Sequence, residues 1–196
     1  MNILALCAHP DDVEFICAGT LLKYREAGHR IFIALATSGN IGSNSMTSRE
    51  EVARTREREQ SAAAAMLGAE LKFLRYDDQL LTDTPEVRRE ILNAVRWADP
   101  DVILTNYPGD NSTDHAITGR IVGRVLLSCG SKLIPSDRRM MAEDLGRKRI
   151  YRFPQENWMP IAAISVSNEL AAQLFQHQQP VHHGDGRKLG RMGDRF

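Results

Sequence analysis

Over 196 residues the chain carries 25 Lys and Arg against 25 Asp and Glu, so its formal net charge is zero, and 42% of it is hydrophobic. The balance excludes a nucleic-acid binder that relies on an overall basic excess to displace counterions from phosphates, and the apolar content excludes a disordered chain. The length fits one domain, no run approaches the roughly 18 apolar residues of a membrane span, and no charged-then-apolar leader is expected before the first strand.

Ile3 to Ala8 reads as an apolar strand. Gly19 to Glu26 follows with helical spacing at Leu21, Leu22 and Ala27, ending at Gly28, where a left-handed cap is wanted. Ile31 to Ala36 is a second apolar run. A Gly/Ser/Asn loop, Thr37 to Asn44, leads to Thr47 or Ser48 as the cap of a long helix, Arg49 to Leu67, which stops at Gly68. Leu71 to Leu74 is a third strand, Pro85 opens a helix that runs to Trp97, and Val102 to Thr105 is a fourth strand. Another helix runs from Asp114 to about Ser128.

Beyond it the pattern predicts a helix at Ser136 to Leu145, short strands near Ile150 to Phe153 and Ile161 to Val166, and a helix from Asn168 to Phe175. Pro180 to Phe196, rich in Gly, Arg and His, reads as an irregular tail to a single domain over residues 1–179. Strands alternating with helices of this length predict an α/β, three-layer Rossmann-like fold: a mostly parallel central sheet with helices on both faces. Cys7, Cys17 and Cys129 are odd in number, without C-x-x-C spacing, and read as buried free thiols of a reducing cytoplasm.

In such a sheet, ligands bind beyond the carboxyl ends of the strands where strand order reverses. With the order 3-2-1-4-5, strands one and four flank that crevice. The first runs into Ala8-His9-Pro10-Asp11-Asp12-Val13-Glu14, and the fourth into Asn106-Tyr107-Pro108-Gly109-Asp110-Asn111-Ser112-Thr113-Asp114-His115. His9 and Asp12 can aim an imidazole and a carboxylate at one point, and His115 completes a set of two histidines and one carboxylate, the pattern of a hydrolytic zinc site. Asp11 then stands where a general base for a water belongs. A plain helix-capping turn, with Asp11 or Asp12 bonding the first free amides, is the alternative reading of the His-Pro-Asp-Asp run. A dinucleotide site is disfavoured, because G-x-G-x-x-G is missing from the turn after strand one.

Ala8-His9-Pro10-Asp11-Asp12-Val13-Glu14 resembles the A-H-P-D-D-x-E signature of the PIG-L/LmbE-like deacetylases, zinc enzymes that remove acetyl groups from N-acetylglucosamine conjugates. Thr37-Ser38-Gly39, Arg56-Glu57-Arg58-Glu59 with the Ala-rich run to Leu67-Gly68, Asp77-Asp78, and Asp114-His115 with Gly119 follow in the family's order, so the likeness covers Met1 to Leu127. The resemblance implies His9, Asp12 and His115 as metal ligands, Asp11 as the base, and Asp114 as a partner of the catalytic histidine region. It also implies Arg56 and Asp78 as grips on sugar hydroxyls. A solvated Arg56–Glu59 helix pair, or an ordinary turn at Asp77-Asp78, are the plainer readings of those residues. Glu14 either favours the positive end of the first helix or braces a ligand.

The sequence departs from the family at one point. Where His-Pro-Asp-His is common, this chain has Ser112-Thr113-Asp114-His115, so Ser112 stands in place of a histidine that serves the oxyanion. Asn111, Ser112, or one of His177, His182 and His183 are the candidate substitutes. The resemblance thus implies a Zn2+-dependent hydrolase (another divalent metal suits the same ligands) acting on a small N-acetylated sugar conjugate, with no nucleic-acid partner, no integral membrane segment and a tendency to form homo-oligomers. The rival expectations are hydrolysis of another amide or ester at the same metal, or a weakened metal- or sugar-binding relic.

Overall fold

The structure, a computed structural model, describes residues 1–135 and 148–152. β1 (Asn2–Cys7), β2 (Arg30–Thr37), β3 (Ala69–Tyr76), β4 (Val102–Thr105) and β5 (Arg149–Arg152) form one parallel sheet in the order β3-β2-β1-β4-β5. Between them run α1 (Asp12–Ile16), α2 (Ala18–Glu26), α3 (Arg49–Leu67), α4 (Pro85–Ala98) and α5 (Thr113–Val125), with a 3-10 turn over Leu126–Ser128. The fold class and strand order are those expected. Because β2 and β3 lie to one side of β1 and β4 and β5 to the other, the reversal falls between β1 and β4.

Alternation along the strands distributes the core over two layers. On one face Leu4, Leu6, Phe32 and Ile103 pack with Ile91 and Val95 of α4 and Ile121 and Val122 of α5. On the other, Ile3, Ala5, Ile31, Ile33 and Leu35 pack with Leu21, Leu22 and Leu67 from the helices α2 and α3. Burying each leucine, isoleucine, valine or phenylalanine among them contributes about 1.5–3 kcal/mol, and β1 and β2 read as continuous apolar runs because both faces are covered. β3 is one of the two edge strands and runs beyond the expected Leu71 to Leu74; Glu70 and Arg75, exposed on the edge, hide its true ends in the sequence.

The helix ends follow their caps. Ser48 accepts the N–H of Glu51 and Gly68 closes α3 at φ 61°, while Thr84 accepts the N–H of Val87 ahead of Pro85. The helix before Gly28 starts at Ala18, with a separate five-residue turn, α1, ahead of it. Cys7, Cys17 and Cys129 are free and buried. The predicted strand near Ile150 appears as β5, whereas the helices at Ser136 to Leu145 and Asn168 to Phe175, the strand at Ile161 to Val166, His177, His182, His183 and the tail lie outside the described residues. No helix among the described residues is long and apolar enough to cross a membrane.

Candidate metal centre

The loops leaving β1 and β4 meet at the crevice. Asp12 opens α1 and is buried, with one carboxylate oxygen, Oδ2, accepting the backbone N–H groups of Ala8 and His9 (both 3.1 Å) and the Asn106 amide (3.2 Å). Its other oxygen, Oδ1, is turned inward, 3.2 Å from His115 Nε2 and 3.9 Å from His9 Nδ1. The two imidazole nitrogens are themselves 3.1 Å apart. Donors held about 2.1 Å from a tetrahedral centre lie about 3.4 Å from one another, so this spacing fits a single divalent cation. Asp12 is divided accordingly, one oxygen fixed by N–H donors and one left for a ligand position.

The far side of each ring is braced. His9 Nε2 lies 3.2 Å from both Asp78 Oδ1 and Asp114 Oδ2, and His115 Nδ1 lies 3.4 Å from Asp110 Oδ2. His9, Asp78 and Asp114 are also close enough to form a second ligand group. If Nδ1 serves the first group, the carboxylates at Nε2 are acceptors that would fix the ring's orientation. Asp114 is held in turn by the Gln79 N–H at 2.8 Å, and Asp78 by its own N–H donating to Asn40.

Charge at the crevice is strongly negative, since Asp11, Asp12, Glu14, Asp78, Asp110 and Asp114 surround two histidines and Arg56. Burial opposes an imidazolium at His9, but its contacts to Asp114, Asp12 and Asp78 prevail and push its pKa up to about 12. Burial likewise opposes ionised Asp12, yet His115 and His9 hold it well below the ordinary value. A cation is the species this field favours, and without a metal a proton on the histidines supplies it.

Asp11 caps α1 from the left-handed region at φ 108°. For a residue with a side chain this conformation costs about 1–3 kcal/mol and persists only where the surroundings impose it. Its carboxylate pairs with Arg56 at 3.2 Å, and burial outweighs that guanidinium to raise its pKa to about 6. Asp11 makes no side-chain cap, so the helix-capping reading of this turn does not describe its carboxylate.

The remaining predicted residues have definite places. Arg56 reaches Asp11 and the Gly42 carbonyl, rather than forming a helix pair with Glu59. Asp78 is buried against His9. Ser112 caps α5, its oxygen accepting the His115 N–H at 3.5 Å, which leaves the hydroxyl hydrogen available to donate. Sequence reasoning placed Asn106 and Asp110 in the run after strand four without giving either a role, and it missed Gln60 altogether. A polar residue directly ending an apolar strand was the available signal for Asn106, while Gln60 gave none.

The chain matches the family model described as GlcNAc-PI de-N-acetylase, PIG-L, over residues 4–126. The chain belongs to the PIG-L family. Among its relatives, a probable N-acetyl-alpha-D-glucosaminyl L-malate deacetylase 2 from Bacillus anthracis is 31% identical over 146 residues, covering 70% of this chain and 62% of that protein. A diacetylchitobiose deacetylase from Thermococcus kodakarensis is 30% identical over 123 residues, covering 60% of this chain and 46% of that protein. The chain therefore spans about half to three fifths of these relatives' own length. The solved N,N'-diacetylchitobiose deacetylase from Pyrococcus horikoshii superposes with a TM-score of 0.72 at 24% identity, covering 89% of this chain and 68% of that one, a likeness in fold.

Proposed function

We propose that this chain hydrolyses the acetyl amide of an N-acetylglucosamine-type conjugate, releasing a free amine and acetate, with a divalent metal held by His9, Asp12 and His115. Three ligand atoms, one each from His9, Asp12 and His115 and all within 4.8 Å of one another, carry the reading, and Asp11 adjoins Asp12 in the chain. Zinc is the preferred ion for two histidines and one carboxylate in a hydrolytic site, and when bound it supplies Lewis acidity toward a water and an amide carbonyl.

The chain's own groups do the rest. Asp11 accepts a proton from the water as its oxygen bonds to the acetyl carbon and then returns that proton to the nitrogen, whose bond to the carbon breaks as it leaves; no co-reactant beyond water is consumed. Asp114 and Asp78 keep the His9 ring oriented, and Asp110 does the same for His115. Ser112, in the position of the family's oxyanion histidine, offers a hydroxyl to the amide oxygen, and Arg56 borders the opening where sugar hydroxyls would lie. Losing an oxyanion donor costs about 100- to 1000-fold in turnover, so a slow enzyme is compatible with this serine. Three buried free thiols support a reducing, cytoplasmic setting.

The test is acetate release from a panel of N-acetylglucosamine conjugates by the purified chain, with and without chelator, alongside metal analysis. Chelator-sensitive release with about one zinc per chain supports the proposal. Absence of release from every conjugate, with metal bound, rejects it.

A further inference from the structure

Gln60 lies on α3 one turn beyond Arg56 and is 2% exposed. Its Oε1 accepts the backbone N–H of Asp11 at 3.1 Å, and its Nε2 donates to Glu14 Oε1 at 2.7 Å. Chemistry fixes this amide orientation, because the Asp11 backbone N–H can only donate, so the Gln60 oxygen faces it and the Gln60 NH2 faces Glu14. Glu14 is 3% exposed, and its second oxygen, Oε2, has no hydrogen-bond partner among the described residues. A carboxyl group buried in this way is stabilised chiefly by what Gln60 donates.

The strained residue in this arrangement is Asp11, at φ 108° without a side-chain cap of its own. Helix α3 grips it twice, Arg56 at the carboxylate and Gln60 at the backbone. Only the second grip acts on the peptide that must stay in the left-handed region. We propose that Gln60 is a positioning residue: its amide, anchored on Glu14, locks the backbone of Asp11 and thereby aims the Asp11 carboxylate at the reacting water. A group with an acceptor at one end and a donor at the other is required, which glutamine meets and leucine does not.

This inference rests on the deacetylase reading, and the experiment separates the two. Steady-state acetate release and zinc content are compared for the wild type, for Gln60→Leu, and for the double exchange Gln60→Glu with Glu14→Gln, which reverses the side-chain hydrogen bond while preserving an acceptor for the Asp11 N–H. Gln60→Leu should lose about 10- to 100-fold in kcat, with KM and zinc content unchanged. The double exchange should restore most of the loss. Should Gln60→Leu fail to fold, Gln60→Glu alone replaces it: it retains size and an acceptor for the Asp11 N–H but turns a second carboxyl toward Glu14, so the anchor on Glu14 is lost and the double exchange is its rescue. An unchanged kcat in the single variant, a loss that tracks zinc content, or a double exchange no better than the single variant overturns the positioning role. A wild type without chelator-sensitive release overturns the deacetylase reading and this inference with it.

Discussion

His9 Nδ1 and His115 Nε2 face each other at 3.1 Å, with Asp12 Oδ1 3.2 Å from the latter. Two imidazole nitrogens so close cannot both present lone pairs unless a cation lies between them. In the metal-free protein that cation is a proton: the carboxylates push His9 up to about 12, and Asp12 raises His115 against burial.

Metal uptake should therefore release protons near neutral pH, and affinity should strengthen as pH rises. The stability of the chelated protein runs the other way. With its folded pKa above the unfolded 6.5, His9 contributes fully below 6.5, and that contribution is lost as pH rises toward about 12. Asp12 and Asp114, held low, contribute fully above 3.8 and lose their effect as pH falls through their lowered values. Thermal melts across pH, with zinc and with chelator, should diverge increasingly on the alkaline side. Parallel curves would remove the histidines from metal binding, as would a His115→Ala variant that keeps its zinc.

Asp11 should set the acid limb of the activity profile. Its pKa is raised to about 6 by burial, with Arg56 opposing, and the base works only when deprotonated, so rate should climb as pH passes through that value. Asp11→Asn should lower kcat by about 100- to 10,000-fold with zinc retained. Arg56→Ala removes a charge that favours the carboxylate, so its acid limb should move to higher pH. Rate profiles of the three proteins decide it, and a limb that stays in place in Arg56→Ala would show that the 3.2 Å pair leaves the base unaffected.

The fold was legible because β1, β2 and β4 are covered on both faces and carry unbroken apolar runs, and because Ser48, Gly68 and Pro85 punctuate the helices. Within the cluster, His9, Asp12 and His115 were legible because histidine and aspartate are ligand types and they fall in the two polar runs that leave β1 and β4. Gln60 and Asp110 were not. Gln60 lies in mid-helix among charged and small residues, and only the tertiary packing of α3 against α1 turns it inward. Asp110 lies in a loop whose backbone path determines what it faces. Arg56 was visible, but its pairing with Asp11, across 45 residues, was not.

Arg96 makes a stability prediction independent of the crevice. It is 1% exposed near the carboxyl end of α4 and donates to the carbonyls of Cys129, Ile134 and Ser131 at 2.9, 2.7 and 2.7 Å, none of which belongs to the His/Asp cluster. Arg96→Met fills much of the same volume but strands those acceptors, and hydrogen bonds to a charged group contribute about 1.5–3 kcal/mol each. Denaturant unfolding should show a loss of about 3 kcal/mol or more, with kcat of the folded fraction unaltered. A midpoint matching the wild type would mean water replaces the guanidinium without cost.

Gly119 ties packing to the proposed metal site. It lies in α5 one turn after His115, where a Cβ would stand 2.2 Å from the Asn106 carbonyl oxygen and 3.0 Å from its carbon. Those are backbone atoms, so no side-chain rotation relieves the clash, and α5 must move away from the loop leaving β4. That loop carries Asn106, which holds both the Ala8 N–H and the Asp12 carboxylate, while α5 carries His115. Overpacking typically costs about 1–3 kcal/mol, and Gly119→Ala belongs at or above the upper end. Because the displacement separates His115 from Asp12, zinc affinity should fall as well as melting temperature. Titration of the variant with zinc under conditions where it remains folded tests the link: wild-type affinity at a lowered melting temperature would mean that the helix relaxes without carrying its ligand along.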